Sequence, residues 1–508
     1  MNKKKYFYLE YITIIFFFLV SRFIYTKFFN IEFEYWTLKY YWQFFPEELL
    51  KNDLFQSILY NPYQAPLLNL IVGIFQKITS NYLIYIKFLF YTFSLINFIF
   101  FYKILKIFSL NFKVNLLVTC VLMILPTTIL YENHLYKDHL VMCFLTILIY
   151  YSLIIVKKGK VISYFIFSFF LVSIVLLRET FHIFWALIFV IFLFYINKEF
   201  KKNLICLIFL IIFAFPFYLK NLFFYEKFSI NLMVYEHLSQ KLEFVKEMKY
   251  HARHKEIKKK IFKDDSNFEQ LFASMSKIYQ IPLNSDADTY SKILNYKYKY
   301  QNSLLNSKSY FNEVYLAVEP LREKDFRTIV NNYPGLLLIS ISNAGVRHFF
   351  RSSDTFYFTR FNADKIPNLI RFSHCLKLTL SCVYEFPFEK QKFELDGKSF
   401  SKINYDNLDY LQKLKFSIND TNFILVFIYL YVLFQIFKYF FICKKKIKFE
   451  KEIKIINFWV LTFLFIFTIL IIFEDGELPR HRYPFDYLMF VFAFFYYSHN
   501  KIQSKTDA

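Results

Sequence analysis

Five clusters of polar residues interrupt the most apolar stretches of the chain: Glu34-Tyr35-Trp36, Glu132-Asn133-His134, Arg178-Glu179-Thr180, Lys220-Asn221 and Glu477-Leu478-Pro479-Arg480-His481-Arg482-Tyr483. Carboxylates and guanidinium groups are costly beside a hydrocarbon phase, so ionisable residues there are functional candidates by default. A carboxylate can take a proton from a hydroxyl or amine, and paired arginine N–H groups can hold a phosphate. Glu34 is the leading candidate for a general base, held at an interface by Tyr35 and Trp36. Glu32 shares its neighbourhood and Asp53 lies further along. The plainer reading of Glu32, Glu34, Glu47, Glu48 and Asp53 is a solvated acidic loop.

Glu132 follows Pro126 and Tyr131 and offers a second carboxylate for the same site, with His134, Asp138 and His139 close behind. His134 and Asp138 are four apart and would share a helix face, so a divalent metal is possible, although two or three ligands in a short loop specify none. Arg178 interrupts an apolar stretch, where it could equally be snorkelling to lipid headgroups; Lys220 ends its span in the same manner. Glu477, Arg480, Arg482 and Asp486 sit where a short loop enters the last apolar run. Two arginines two residues apart in a tight turn suit a phosphate or pyrophosphate at the membrane surface. Their alternative is a structural ion pair with Glu477.

These clusters must be positioned by membrane helices. The chain is 56% hydrophobic with 72 Phe, too apolar for a soluble globule, and its apolar runs are separated by lysine clusters. The net charge of +22 lies largely in short loops beside those runs, where it orients helices, so nucleic-acid binding is not expected. Met1 to Lys5 and the following run imitate a signal peptide, but Ser21-Arg22-Phe23-Ile24-Tyr25 is no small-residue cleavage site, and a retained anchor is expected. Cysteines are scattered without a C-x-x-C pair. Cys375 and Cys382 lie close in sequence, but seven residues of continuous helix rise about 10 Å, so a bridge would need a turn between them.

Lysine asymmetry predicts ten spans with both termini cytoplasmic, near 7–29, 82–104, 112–131, 138–156, 161–178, 182–197, 203–219, 421–442, 456–473 and 484–498. Residues 65–78 are too short to cross. All five polar clusters then fall on one face. The expected organisation is an α-helical polytopic membrane protein with residues 1–221 as an N-terminal transmembrane module, an acidic first outer loop over 30–80, a mainly helical extracytoplasmic domain over 222–420, and a C-terminal module over 421–508.

Several segments in order resemble a family. Gln64-Ala65-Pro66-Leu67-Leu68, Tyr131-Glu132-Asn133, Leu177-Arg178-Glu179-Thr180-Phe181-His182, the stretch Pro216 to Phe228, and Arg480-His481-Arg482-Tyr483-Pro484 are similar to motifs of polytopic GT-C glycosyltransferases. The branch is that of protein O-mannosyltransferases and the lipid A aminoarabinose transferase. Two departures are Glu32 and Glu34 where the family shows aspartate, and Ala65 where proline is common. The resemblance implies a GT-C-like fold and sugar transfer with inversion from a polyprenyl-phosphate donor to a lipid, glycan or protein acceptor. It implies Glu34, Glu132 and Glu32 as catalytic candidates, Arg480, Arg482, Lys220 and Arg178 around the donor phosphate, and Gln64, His182, Glu477 and Tyr483 in substrate binding. No cofactor is firmly implied. The location it implies is multi-pass in a bacterial inner membrane, with the site facing the periplasm or exterior. The rival readings are a lipid-linked polysaccharide polymerase, a transporter or flippase, and a non-catalytic scaffold. The absence of an internal repeat and the clustering of charge at span ends weigh against the transporter.

Overall fold

A computed structural model describes residues 3–40 and 44–231 apart from 46, 53, 61–63, 109–110 and 226. It further describes 351–353, 359–382, 390–395, 398–403, 418–439, 450–473 and 478–506, with single positions between 323 and 342 and at 415. Most of the expected 222–420 domain, together with Asp53 and Glu477, lies outside the described residues.

The described chain is a bundle of apolar helices. In order they are α1 (Lys3–Lys27), α2 (Trp36–Tyr40), α3 (Glu47–Asn52), α4 (Leu54–Tyr60), α5 (Leu67–Ile78), α6 (Tyr82–Ile107), α7 (Phe112–Ile124), α8 (Pro126–Glu132) and α9 (Lys137–Lys158). Then come α10 (Val161–Leu177), α11 (Ile183–Asn197), α12 (Phe200–Phe209) and α13 (Phe215–Tyr225), the last two joined by a π turn, Leu210–Ala214. The C-terminal part adds α14 (Arg360–Ala363), α15 (Pro367–Leu376), α16 (Phe423–Phe437), α17 (Glu450–Phe473) and α18 (Leu478–Thr506). A two-stranded antiparallel hairpin, β1 (Lys390–Leu395) and β2 (Lys398–Ile403), departs from the expectation of helix in this region.

Five helices are long and apolar enough to cross a membrane, and the bent pair α7–α8 makes a sixth if counted as one span. This makes the chain a multi-pass membrane protein by length and composition, with fewer clear spans than the ten expected. Length accounts for three of the four missing spans, whereas the 29-residue α18 is long enough but not apolar enough. At 17, 15 and 15 residues, α10, α11 and α16 are shorter than the ~20 residues that span about 30 Å of hydrocarbon. The 12-residue α5 is shorter still, at about 18 Å.

The central helix is α9, with 83% of its apolar window buried against 28% for α1 and α6. Leu9, Ile12, Phe16, Leu19 and Phe23 of α1 are exposed, a lipid-facing stripe. Polar side chains tie the helices internally: Trp459 Nε1 donates to Ser152 Oγ at 3.1 Å and Trp185 Nε1 to Thr462 Oγ1 at 3.3 Å. Hydrocarbon offers such groups no competing water, which makes interhelical pairs useful for register. At the lysine-rich end, Lys106 pairs with Glu10 at 2.6 Å and Lys157 with Glu452 at 3.5 Å.

The expected third span is broken by 57° between α7 and α8. Pro126 has no N–H and disfavours helix at the residue before it, so the carbonyls preceding it lose their helical partners. Each is satisfied by a side chain. Leu122 O accepts from Thr128 Oγ1 at 2.8 Å, Met123 O from Arg22 Nη1 at 3.1 Å and Ile124 O from the Tyr25 hydroxyl at 3.0 Å. Pro216 likewise cannot bond the carbonyl four residues back, and the π turn just before it absorbs the mismatch.

Cys375 and Cys382 form a disulfide with Cα atoms 4.8 Å apart. The turn that such a bridge requires is present: α15 ends at Leu376, and Leu378 takes φ +53°. The loop packs on the broken span, with Lys377 Nζ donating to Thr127 Oγ1 at 3.0 Å and to Ser352 Oγ at 3.3 Å. Disulfides persist in oxidising compartments. Alkylating the membrane-extracted protein before any reduction should therefore leave Cys375 and Cys382 unmodified in a peptide mass map. Modification of both without reductant would remove the bridge and the compartment argument that follows from it.

Candidate active site

Four elements bring ionisable side chains to one end of the bundle. The segment after α1 reaches Glu34, which forms a single parallel bridge to His134. Its N–H donates to Asn133 O at 2.7 Å, and its carbonyl accepts from Leu135 N at 2.8 Å. Thr37 Oγ1 adds a bond to Leu135 O at 2.7 Å. Glu34 is 4% exposed, whereas the Glu32 side chain is 57% exposed and pairs with Lys365 at 3.4 Å. Of the two carboxylates, Glu34 alone is in the buried layer.

Asp138 lies in the first turn of α9, where a carboxylate is favoured by the helix dipole. Arg178 follows the last turn of α10, where a cation is favoured. The two meet at 3.2 Å, and Arg480 Nε approaches the other Asp138 oxygen at 3.4 Å. All three are 1% exposed or less. Arg480 also lies over the Tyr136 ring, 4.5 Å from its centroid. His481 sits between the two arginines, its Nδ1 against Arg178 Nη2 and its Nε2 3.0 Å from Arg480 Nη2.

This arrangement is rich in N–H donors. An imidazole has at most one acceptor nitrogen, so one of the two His481 contacts is donor against donor. The Arg178–Asp138 approach is close but poorly aligned, leaving Arg178 Nε and Nη1 without a hydrogen bond among the described residues. Two buried guanidinium groups converge on Asp138, and the unbonded Arg178 N–H groups are donors that a further anion could use.

A neutralised pair borders the cluster: Lys137 Nζ reaches both Glu179 oxygens at 3.0 Å. Burial alone would raise the Glu179 pKa, but the Lys137 charge, a backbone N–H and Arg178 hold it down to about 2. His134 is pushed down to about 3 by burial and then by the charge of Arg480. That charge effect links the Glu34 bridge to the arginine cluster.

Other expected site residues go elsewhere. Glu132 has no exposure; its carboxylate pairs with Arg22 and accepts from Ser94 Oγ at 2.5 Å. Arg482 is not beside Arg480. Helix α18 already begins at Leu478, so residues 480 and 482 are about 200° apart around its axis rather than together in a turn. Arg482 binds Asp486 at 2.8 Å and Arg351 O at 2.7 Å. Lys220 Nζ reaches Ile58 O at 3.3 Å, at the end of α4. His182 caps α11 by accepting from Phe184 N at 3.3 Å, and burial lowers its pKa. Gln64 is buried just ahead of α5, and Tyr483 stacks on Tyr131 with centroids 3.9 Å apart. His134 precedes α9, so it does not share a helix face with Asp138 as the spacing suggested. No group of three or more metal-ligating side chains occurs among the described residues.

Sequence reasoning assigned no role to three participants. Arg22 was noted only as part of a stretch unsuited to cleavage, although an arginine inside an apolar run is itself a signal. His481 and Lys137 carried no signal apart from their neighbours. Beyond the cluster, a largely apolar groove of about 250 Å³ lies between α7, α16 and α18. Its lining includes Leu122, Leu125, Leu425 and Phe490, with Lys377 and Asp486 also on its wall.

The His134 environment predicts a pH dependence. Its pKa falls from 6.5 to about 3 on folding, so its contribution to stability is complete above pH 6.5 and is lost as pH falls toward 3. The slope approaches about 1.4 kcal/mol per pH unit for one such group. Glu179, lowered from 4.5 to about 2, adds the same sign below pH 4.5. Thermal unfolding in detergent between pH 7 and pH 4.5 should show a falling midpoint that His134→Gln flattens. Equal slopes in parent and variant would rule out the buried neutral histidine as the cause.

Compared with known proteins, no family model, curated protein or solved structure matches this chain.

Proposed function

We propose that the chain is an integral membrane glycosyltransferase that moves a sugar from a polyprenyl-phosphate donor to an acceptor on the extracytoplasmic face. The observation that carries this reading is the buried Arg178–Asp138–Arg480 cluster, in which two guanidinium groups converge on one carboxylate and Arg178 keeps two N–H donors without a hydrogen bond among the described residues. A phosphate ester matches those donors. As a leaving group it departs as a stable anion, so fixed cations serve it better than a general acid.

In this reading the donor phosphate lies against Arg178 and Arg480, with His481 taking whichever donor or acceptor role the phosphate leaves open. The acceptor O–H attacks the anomeric carbon on the face opposite the phosphate. The carbon–oxygen bond to phosphate breaks with its electron pair leaving on the phosphate, which inverts the anomeric centre. The acceptor proton passes to the Glu34 carboxylate. The backbone bonds from Glu34 to the 133–135 segment support that role by tying the base to the connection leading into Asp138. The largely apolar groove beside α18 suits a lipid chain, and α18 itself runs from Phe490 on the groove to Arg480 in the cluster. The Cys375–Cys382 bridge supports an oxidising compartment for this end, as does the lysine-rich character of the opposite end. The order of motifs resembling GT-C glycosyltransferases points the same way. In this account Glu132, Arg482 and Lys220 hold structure instead of substrate.

The decisive comparison uses cells lacking the chain. Mass analysis of their envelope lipids and glycans should show loss of one sugar, restored by the parent gene. An unchanged profile would sink the transferase reading. Glu34→Gln keeps shape and removes charge, and should lower transfer by about 10²- to 10⁴-fold while leaving donor binding nearly intact. Full restoration by Glu34→Gln would move the base to another carboxylate.

Arg480→Ala should weaken donor use strongly, and Arg480→Lys should recover it only in part, because lysine lacks the planar fork. Arg482→Ala should raise donor KM far less than Arg480→Ala does. Similar donor KM increases in the two alanine variants would refute the separation of their roles.

A further inference from the structure

We propose that Arg22 is the positioning residue for Glu34, acting through its buried ion pair with Glu132. The role assigned to Glu34 rests on the transferase reading; the positioning itself does not. Arg22 sits in the apolar helix α1 and is 5% exposed, yet each of its five N–H groups has an acceptor. Nε donates to Glu132 Oε1 at 2.9 Å, and Nη2 meets Glu132 Oε2 and lies 3.4 Å from Ser94 Oγ. Nη1 donates to Ser21 Oγ at 2.9 Å and to Met123 O at 3.1 Å. The guanidinium carbon lies 4.0 Å from the centroid of the Phe18 ring. A guanidinium so fully matched fixes both the distance and the orientation of its partner.

The partner is the last residue of α8, and the next residue accepts one of the two backbone bonds that flank the Glu34–His134 bridge. Asn133 O accepts from Glu34 N at 2.7 Å. The Asn133 side chain is itself held, with Oδ1 accepting from the Tyr91 hydroxyl at 2.7 Å and Nδ2 donating to Ile129 O at 2.9 Å. The chain thus closes on itself. Arg22 binds Glu132, Glu132 is bonded to Asn133, Asn133 holds Glu34, and Glu34 returns through the backbone to Arg22. Such a ring fixes the backbone from which the Glu34 side chain projects. Buried ion pairs add little stability over well-packed apolar residues, so geometry is the more informative thing to measure here.

Spin-label distances on the full-length protein in nanodiscs test this without any sugar transfer. Labels at Tyr35→Cys, beside the bridge, and Ile84→Cys, on the lipid face of α6, are used after replacement of the unbridged cysteines. Both positions are exposed, at 40% and 64%. The parent should give one narrow distance distribution. Arg22→Met with Glu132→Leu replaces the pair by apolar groups and removes the unpaired charge that either single change leaves. It should stay folded and broaden the distribution at least twofold. Arg22→Lys keeps the charge but loses the fork, and should broaden it by a smaller amount. In transfer assays the same variants should lower kcat at least tenfold with donor KM unchanged. A folded Arg22→Lys or double variant with the parental distribution would overturn the proposal, and would leave the transferase reading standing. Broadening without any transferase activity in the parent would do the reverse.

Discussion

Hydrocarbon gives a backbone carbonyl nothing to bond to, and the break before Pro126 exposes several at once. Everything at the Glu34 end of this bundle follows from how they are answered. One is met locally by Thr128, but the others need α1, which supplies Arg22 and Tyr25. The first helix is therefore bound to the break by the break's own unmet bonds. Once the Arg22 guanidinium is committed there, Glu132 is its natural counter-charge, and a carboxylate that would be intolerable alone becomes part of a satisfied network. The bend then directs the 133–138 segment across the end of the bundle, and α9 begins with Asp138 facing Arg178.

The two buried charge systems differ in kind. Around Arg22 donors and acceptors are matched one to one. Around Asp138 they are not: Arg178 keeps Nε and Nη1 without a hydrogen bond among the described residues, and His481 meets an arginine on each ring nitrogen. A protein that can build the first arrangement a short distance away has no packing reason to leave the second incomplete. The contrast distinguishes the two charge systems more clearly than burial does, since both are equally dry.

The sequence made part of this legible. Apolar runs and lysine clusters announced the membrane helices, and the polar interruptions located Arg178 and Arg480, which the fold brings together. Helix phase was not legible. The run Arg480-His481-Arg482 read as a turn presenting both arginines, but α18 starts at Leu478 and sends them to different partners. Whether a span is continuous was equally hidden, because the composition of 112–131 is apolar on both sides of Pro126. For Cys375 and Cys382 the geometric condition for a bridge was clear beforehand, and Leu378 fulfils it with a left-handed backbone that its residue type gave no reason to expect.

The cluster is also spread along the chain in a way that matters during synthesis. Arg178 and His481 are 303 positions apart, and the backbone of Glu32 bonds to Asn362 across 330. At about 5–20 residues per second, roughly 15–60 s pass between the emergence of the first arginine and that of its last partner. Through that interval the nascent chain carries α10 in the membrane with an arginine at its end and no His481 to meet it. An isolated helix tolerates that charge only near the headgroups, so the half-made protein must hold α10 shallow and draw it into place when the final helix enters. Helix α18 would thus be the one that closes the cluster, and a chain truncated before it would retain its first spans without Arg480 or His481.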